Sequence, residues 1–156
     1  MKIPNRIILS ALAICMSGEA SAAPLSVSGL VSNPLSLSLS ELRAMPSSQV
    51  TVTQASGHGP VAIDCKGPRL SALLDKAAPR LESRNNAALG HVVMVAADDG
   101  YAVALSFGEM DASYGGADPI LATDCSGKPL DAPRLIIPSD KHAGRAVRGV
   151  VRLEVR

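Results

Sequence analysis

The basic residues near the C-terminal end are the first group in this sequence that could do chemistry. Arg145 and Arg148 lie three positions apart, and Lys141, His142 and Arg152 surround them. Arginine makes paired hydrogen bonds to the oxygens of a phosphate or a similar oxyanion. The segment therefore predicts an anion site at Arg145 and Arg148. The alternative is the solvent-facing side of a strand, where alternate residues are charged because they point outward.

Two cysteines, Cys65 and Cys125, could form either a disulfide or a pair of buried free thiols. In an oxidising compartment, a disulfide is the simplest use of an even pair. It would close a loop of about 60 residues and stabilise the fold by about 4 kcal/mol on chain-entropy grounds. No metal site is predicted, because neither cysteine has another cysteine or a histidine at ligand spacing.

His58 is a further candidate, since histidine titrates near neutral pH and can bind an anion or a metal. It lies in the glycine-rich stretch 56–60, and the alternative is an exposed loop residue. The other histidines, His91 and His142, are scattered along the chain and complete no zinc pattern.

Asp98 and Asp99 could pass for a pair of catalytic carboxylates. Gly100 follows them, and aspartate before glycine is typical of a hairpin turn for backbone reasons. We therefore predict a turn here and not an acid–base pair. The sequence also contains no Gly-x-Ser-x-Gly elbow, which argues against a serine hydrolase.

The elements that would position these residues are mostly short strands. Alternating apolar residues predict strands at 25–28 and 35–39, and a β-branched run predicts one at 50–53. The same reasoning predicts the remaining strands, at 61–63, 92–97, 101–105, 119–123, 135–137 and 147–155.

The predicted helices are few and short. Ser38 with Glu41, and Ser106 with Glu109, each fit a capping box that opens a short helix. A third helix is predicted where Leu70, Leu73, Leu74 and Ala77 recur at helical spacing. Because strands outnumber helices and no regular βαβ alternation is present, the predicted fold class is α+β, as a β-rich single domain.

Residues 1–22 have the composition of a cleaved signal peptide. Two basic residues precede an apolar run of about ten residues, and a small-residue Ala-x-Ala site follows it. The run is too short to span a bilayer, so no membrane span is predicted. Lipidation at Cys15 and a buried N-terminal helix are the alternatives. Cleavage would leave one domain, 23–156, in the periplasm or secreted.

The charge balance argues against some partners. The formal net charge is +1, and loss of residues 1–22 would remove two basic residues and one acidic residue. The mature chain would thus be neutral, with no long run of one sign. Neither nucleic acid nor an anionic membrane is expected as a partner.

Several segments occur together in a recognisable order. They are 25–31, 37–42, 50–53, Lys66-Gly67-Pro68-Arg69-Leu70 with 71–74, Asp99-Gly100-Tyr101, 135–138 and 145–155. This set resembles the molybdopterin-binding domain of the sulfite oxidase family over almost the whole mature chain. The resemblance implies a β-rich α+β fold with a molybdenum cofactor in a deep pocket. It also implies one cysteine thiolate on the metal, basic residues on the pterin phosphate, and redox chemistry on small oxyanions or oxidised sulfur groups.

The chain departs from the family at the metal ligand. Matching 50–53 to the family strand puts Gln54 at or next to the cysteine position, and Cys65 comes too late. An amide oxygen is a neutral, hard donor that does not replace a soft thiolate. The resemblance implies a site at Gln54, His58, Arg145 and Arg148, without a metal. No cofactor is expected, although the resemblance keeps molybdopterin possible.

The predicted function is an exported binding module that keeps the fold without a molybdenum centre. Its expected partner is a small anionic ligand or a periplasmic protein. The alternative is a small molybdopterin-dependent oxidoreductase, or a subunit of one, acting on a small oxyanion or an oxidised sulfur compound. The signal has no twin arginine, whereas a protein loaded with this cofactor normally crosses the membrane folded. The absence therefore favours the cofactor-free form.

Overall fold

Two β-sheets and three short helices build the part of the chain that the computed structural model describes, residues 23–156 except 57–58 and 83–86. The expected signal peptide, residues 1–22, lies outside the described residues. The β-rich α+β prediction is confirmed. Within the described residues, no helix has the length and apolar character needed to cross a membrane.

The first sheet has five strands in the order β2-β1-β9-β5-β6. They are β1 (Leu25–Gly29), β2 (Leu35–Leu37), β5 (Val92–Ala97), β6 (Ala102–Ser106) and β9 (Val150–Val155). β9 lies at the centre, parallel to β1 and antiparallel to β5. The first and last strands of the domain therefore hold each other in place.

The second sheet is antiparallel, in the order β3-β4-β7-β8. Its strands are β3 (Ser47–Ser56), β4 (Gly59–Pro68), β7 (Ile120–Cys125) and β8 (Lys128–Ile136). The predicted strands at 61–63 and 135–137 were too short. β4 and β8 also contain prolines, which weaken a strand pattern in sequence, and cross-strand pairing extends both strands past them.

The helices are α1 (Leu39–Ala44), α2 (Leu70–Ala77) and α3 (Phe107–Met110). Both predicted capping boxes are present, Ser38 with Glu41 and Ser106 with Glu109. α2 buries its four predicted apolar residues. The carboxylate of Asp118 accepts from the backbone N–H and the hydroxyl of Ser71 in the first turn of α2, which supplies the cap that Arg69 does not.

The core is aliphatic and lies in two parts. The larger cluster packs α2 against the apolar face of the first sheet and one face of the second. A smaller cluster covers the opposite face of the second sheet and includes Val52, Cys65 and Ile136. β7 is buried on both faces, since Leu121 joins the larger cluster while Ile120 and Ala122 join the smaller.

Cys65 and Cys125 form a disulfide bond between β4 and β7, with their Cα atoms 4.1 Å apart. They lie directly opposite each other in the strand register, and Cys65 is buried. The predicted pairing is therefore present. It ties the β3–β4 hairpin to the β7–β8 hairpin.

The last strand begins later than predicted, at Val150 and not at residue 147. Gly149 has a left-handed backbone, with φ of +65°, and its carbonyl accepts from the N–H of Asp98. This turn breaks the predicted alternation. Arg145 and Arg148 consequently precede β9, so the alternative of a single solvent-facing strand surface is wrong for them.

Candidate functional site

Two of the predicted site residues, Arg145 and Arg148, lie in the segment that joins β8 to β9. On one side of this segment runs β3, which contains Gln54 opposite Val61 in β4. Val52 and Thr53 of β3 line a narrow cleft with Asp140 and His142. The structure thus brings the strand of Gln54 near the basic segment. His58 lies outside the described residues.

Arg145 is held by two carboxylates. Its Nη2 lies 2.6 Å from Asp140 Oδ1, and its Nη1 lies 2.6 Å from Glu109 Oε1. The hydrogen bond from Arg145 is the largest cause that lowers the pKa of Glu109 below its ordinary value of 4.5. Hydrogen bonds from Arg145 to Asp140, and then to Glu109, raise the pKa of the guanidinium. These contacts fasten the β8–β9 segment to α3 and offset the charge of Arg145.

Arg148 lies opposite Arg134, away from the two carboxylates that hold Arg145. It forms an isolated bridge with Arg134 of β8, and it is exposed. The Nε of Arg134 is buried and has no hydrogen-bond partner among the described residues. Burial, and then the charge of Arg148, lower the pKa of Arg134. Within the described part of the chain, neither arginine forms an ion pair.

These two arginines line a cleft of about 320 Å³, which we call the arginine cleft. Its other walls are Asp99, Tyr101 and the backbone around Gly144. The Tyr101 hydroxyl donates to the Gly144 carbonyl at 2.5 Å, and Asp99 accepts from the Tyr101 N–H at 2.8 Å. The predicted turn at Asp98 and Asp99 is confirmed, and its tyrosine fixes one wall of the cleft.

Arg134 is the residue that sequence reasoning missed. It directly precedes the apolar run 135–137, where an isolated arginine looks like the exposed residue of a strand. Only the approach of Arg148 from the β8–β9 segment shows that it belongs to a basic cleft. One weak signal was present in the sequence, since Arg134 directly precedes 135–138, a segment that carries the family resemblance.

The described residues do not supply the thiolate that the family's metal would need. Both described cysteines are in the disulfide, and β3, where the resemblance implies the ligand cysteine at or next to Gln54, contains no cysteine. The described part of the chain also contains no group of three histidine, cysteine or acidic residues that could hold a metal ion. The arginine cleft offers hydrogen-bond donors to a phosphate group. The described residues offer no free thiolate, which is the soft ligand that the family's metal takes.

Comparison with known proteins gives one family and one fold. A family described as the oxidoreductase molybdopterin binding domain matches residues 15–156. No curated protein matches the chain. Among solved structures, the sulfane dehydrogenase SoxCD from Paracoccus pantotrophus is similar with a TM-score of 0.68 and 18% identity. The match covers 85% of this chain but only 38% of the SoxCD chain, and at that identity it shows the fold alone.

Proposed function

Because the chain belongs to the oxidoreductase molybdopterin binding domain family, we propose that it is an exported member that binds a small anion in the arginine cleft and holds no molybdenum. The sequence of residues 1–22 supports export to the periplasm or secretion. Family membership supports a scaffold suited to a phosphate-bearing ligand. The remaining support comes from the charges of the cleft.

The buried, unpartnered Nε of Arg134 is the observation that carries the proposal. A buried donor without an acceptor costs about 1–3 kcal/mol, and more when it is charged. The nearby charge of Arg148 adds repulsion. An oxyanion placed between the two guanidinium groups would accept hydrogen bonds from both and remove both costs. The cleft is therefore incomplete without an anion.

Arg145 has a different part in this proposal. Each of its three guanidinium nitrogens already donates to Asp140 or Glu109, and these two carboxylates offset its charge, so in this proposal it positions the β8–β9 segment and does not contact the anion. Gln54 and His58 stay predictions as ligand contacts, because the side chain of Gln54 and all of His58 are outside the described residues.

The cofactor-free state is supported by the chemistry of the donors. Molybdenum in this family takes a cysteine thiolate, and the described cysteines are bonded to each other. The alternative remains a small molybdopterin-dependent oxidoreductase, or a subunit of one, which family membership favours. Molybdenum and pterin analysis of the protein from its own periplasm separates the two, since one molybdenum per chain would overturn the cofactor-free proposal.

The anion site is tested by titrating the disulfide-bonded protein with inorganic phosphate and with sulfate while the arginine Nε–Hε NMR signals are followed. We expect the Arg134 signal to shift on saturation. Replacing Arg148 by glutamine should weaken binding about tenfold, as expected for one lost charged hydrogen-bond pair. Arg152→Gln is the matched control, because Arg152 is exposed on β9 and faces Glu154. Equal losses in both variants would mean non-specific charge attraction and would overturn the site.

A further inference from the structure

The outer edge of β3 lacks the residues that usually protect an exposed strand edge. β3 is an edge strand, and among the strands of the described residues it pairs with β4 alone. Its ten residues include no charged residue and no proline, although soluble proteins commonly protect edge strands with lysine, proline or bulges. An unprotected edge of this length is a ready template for another strand.

The backbone register identifies the side of β4 that faces β3. The N–H of Ser126 donates to the carbonyl of Asp64 at 2.7 Å, so the polar backbone groups of Asp64 point to β7. Those of the next residue, Cys65, therefore point to β3. Cys65 lies opposite Val50, which makes Val50 a hydrogen-bonded partner of β4.

Alternation along β3 then fixes the groups at the free edge. Because Val50 faces β4, the N–H and C=O groups of Gln49, Thr51 and Thr53 face away from it. All three residues are exposed. Within the described residues, none of their backbone groups has a hydrogen bond outside the sheet. They offer three donors and three acceptors at the spacing of an antiparallel strand.

A cleft lies at the start of this edge. It is about 440 Å³ in volume and is lined by Ser48, Gln49 and Val50, with Met110 and Ala117 among the residues across it. The same cleft reaches Arg69 and Ile120, so it opens at the end of the sheet where β3 begins. Farther along β3, Thr53 lines a separate, narrow space of about 20 Å³ with residues of the β8–β9 segment.

The shape of the cleft favours a single extended segment over a second copy of the sheet. The far wall, formed by the segment after α3, stands opposite the edge. One added strand needs a spacing of about 4.8 Å, whereas a second copy would bring its own flanking strand into that wall. Because the β8–β9 segment lies close to Thr53, an added strand would pair with the first part of the edge, at Gln49 and Thr51.

Arg69 lies where the C-terminal end of that segment would bind. Its Nε donates to Ser48 Oγ at 2.9 Å, at the start of β3. Its side chain is 56% exposed, and its contact with Asp118 is long, at 3.7 Å. Asp118 is itself engaged with Ser71. Arg69 thus has donors free for a carboxylate at this end of the cleft.

We propose that the free edge of β3 binds the C-terminal segment of a partner protein as an added antiparallel strand, with its terminal carboxylate at Arg69. An antiparallel segment ends where β3 begins, which places its last residue beside Ser48 and Arg69. The segment is short and uncharged apart from that carboxylate, because β3 offers no charge for it to pair with. This site is separate from the arginine cleft and does not depend on the proposed anion.

The test uses the exported, disulfide-bonded protein and an N-acetylated hexapeptide of sequence Val-Thr-Val-Thr-Gln-Ala, with a free C-terminal carboxylate or a C-terminal amide. We expect millimolar peptide to protect the amide protons of Gln49 and Thr51 from exchange. The amides of Val50 and Val52 are protected with or without peptide. The acid should bind about five- to tenfold more tightly than the amide, as a charged hydrogen bond predicts.

Two variants with matched controls identify the contacts. Gln49→Pro removes an N–H at the free edge and should weaken binding about tenfold, while Gln49→Ala keeps that N–H and should not. Arg69→Gln should abolish the preference for the acid, with Arg152→Gln as the control. No protection of the Gln49 and Thr51 amides would overturn the proposal. Protection without peptide that grows with protein concentration would also overturn it, since this would make a second copy the occupant.

Discussion

Arg134 lies directly opposite Arg148 in an antiparallel bridge between β8 and the segment before β9, and the Nε of Arg134 is buried without a hydrogen-bond partner among the described residues. This arrangement does not stabilise the fold, because two like charges share a partly desolvated cleft. A bound anion would offset both charges. The first prediction follows from this contrast between stability and binding.

Replacing Arg134 by methionine should stabilise the ligand-free protein or leave its stability unchanged. The variant keeps most of the side-chain volume and removes a partly buried charge that forms no ion pair among the described residues. We expect the free energy of unfolding to stay equal or rise by about 1 kcal/mol, measured by urea unfolding in an anion-poor buffer. The same variant should lose the phosphate and sulfate response. A loss of several kcal/mol in unfolding free energy would contradict the role given to Arg134.

Reducing the disulfide should destabilise the fold without changing its architecture. The bond between Cys65 and Cys125 closes a long loop across two hairpins, so its loss restores entropy to the unfolded chain. We expect a loss of about 4 kcal/mol in the free energy of unfolding, measured by urea unfolding of the Cys65→Ala/Cys125→Ala variant. An unchanged midpoint would show that the hairpins are held by packing alone.

The ion pair of Arg145 with Glu109 should make stability depend on pH in the acid range. The pKa of Glu109 is lowered in the folded protein, so this carboxylate contributes stability above its ordinary pKa of 4.5 and loses it as the pH falls through the lower folded value. Tm measured from neutral to acid pH should fall less steeply at the acid end in Glu109→Gln. Asp131→Asn, at an exposed position of β8, is the control for removing a carboxylate elsewhere. Parallel curves for the wild type and Glu109→Gln would contradict the pairing.

Gly67 should not tolerate a side chain. A Cβ there would collide with the backbone carbonyl of Leu121 in β7, whereas a Cβ at Gly90 meets nothing nearby. We expect Gly67→Ala to lower the free energy of unfolding by about 2 kcal/mol or more, since backbone must move to make room. Gly90→Ala is the matched control and should be close to neutral. Equal effects of the two substitutions would contradict the close approach of Gly67 in β4 to the Leu121 carbonyl in β7.

Local patterns were sufficient for many elements. The alternation at 25–28 determined β1, and both capping boxes determined where their helices begin, because each of these signals depends on residues within one or two turns of chain. The turn at Asp98 and Asp99 was equally local. Family resemblance added the expectation of a deep pocket with basic residues from near the C-terminal end.

The sequence by itself could not determine which way the basic residues point. Arg145 and Arg148 are three positions apart, yet one pairs with Glu109 of α3 and the other lies against Arg134 of β8. Those partners are distant in the sequence, and the positive φ of Gly149 ends the alternation that would have put both arginines on one strand face. Likewise, the free edge of β3 exists because its register with β4 turns the N–H and C=O groups of Gln49, Thr51 and Thr53 outward. Short-range spacing determined the elements, while long-range pairing decided which charges are neutralised, which stay open and which edge is left free.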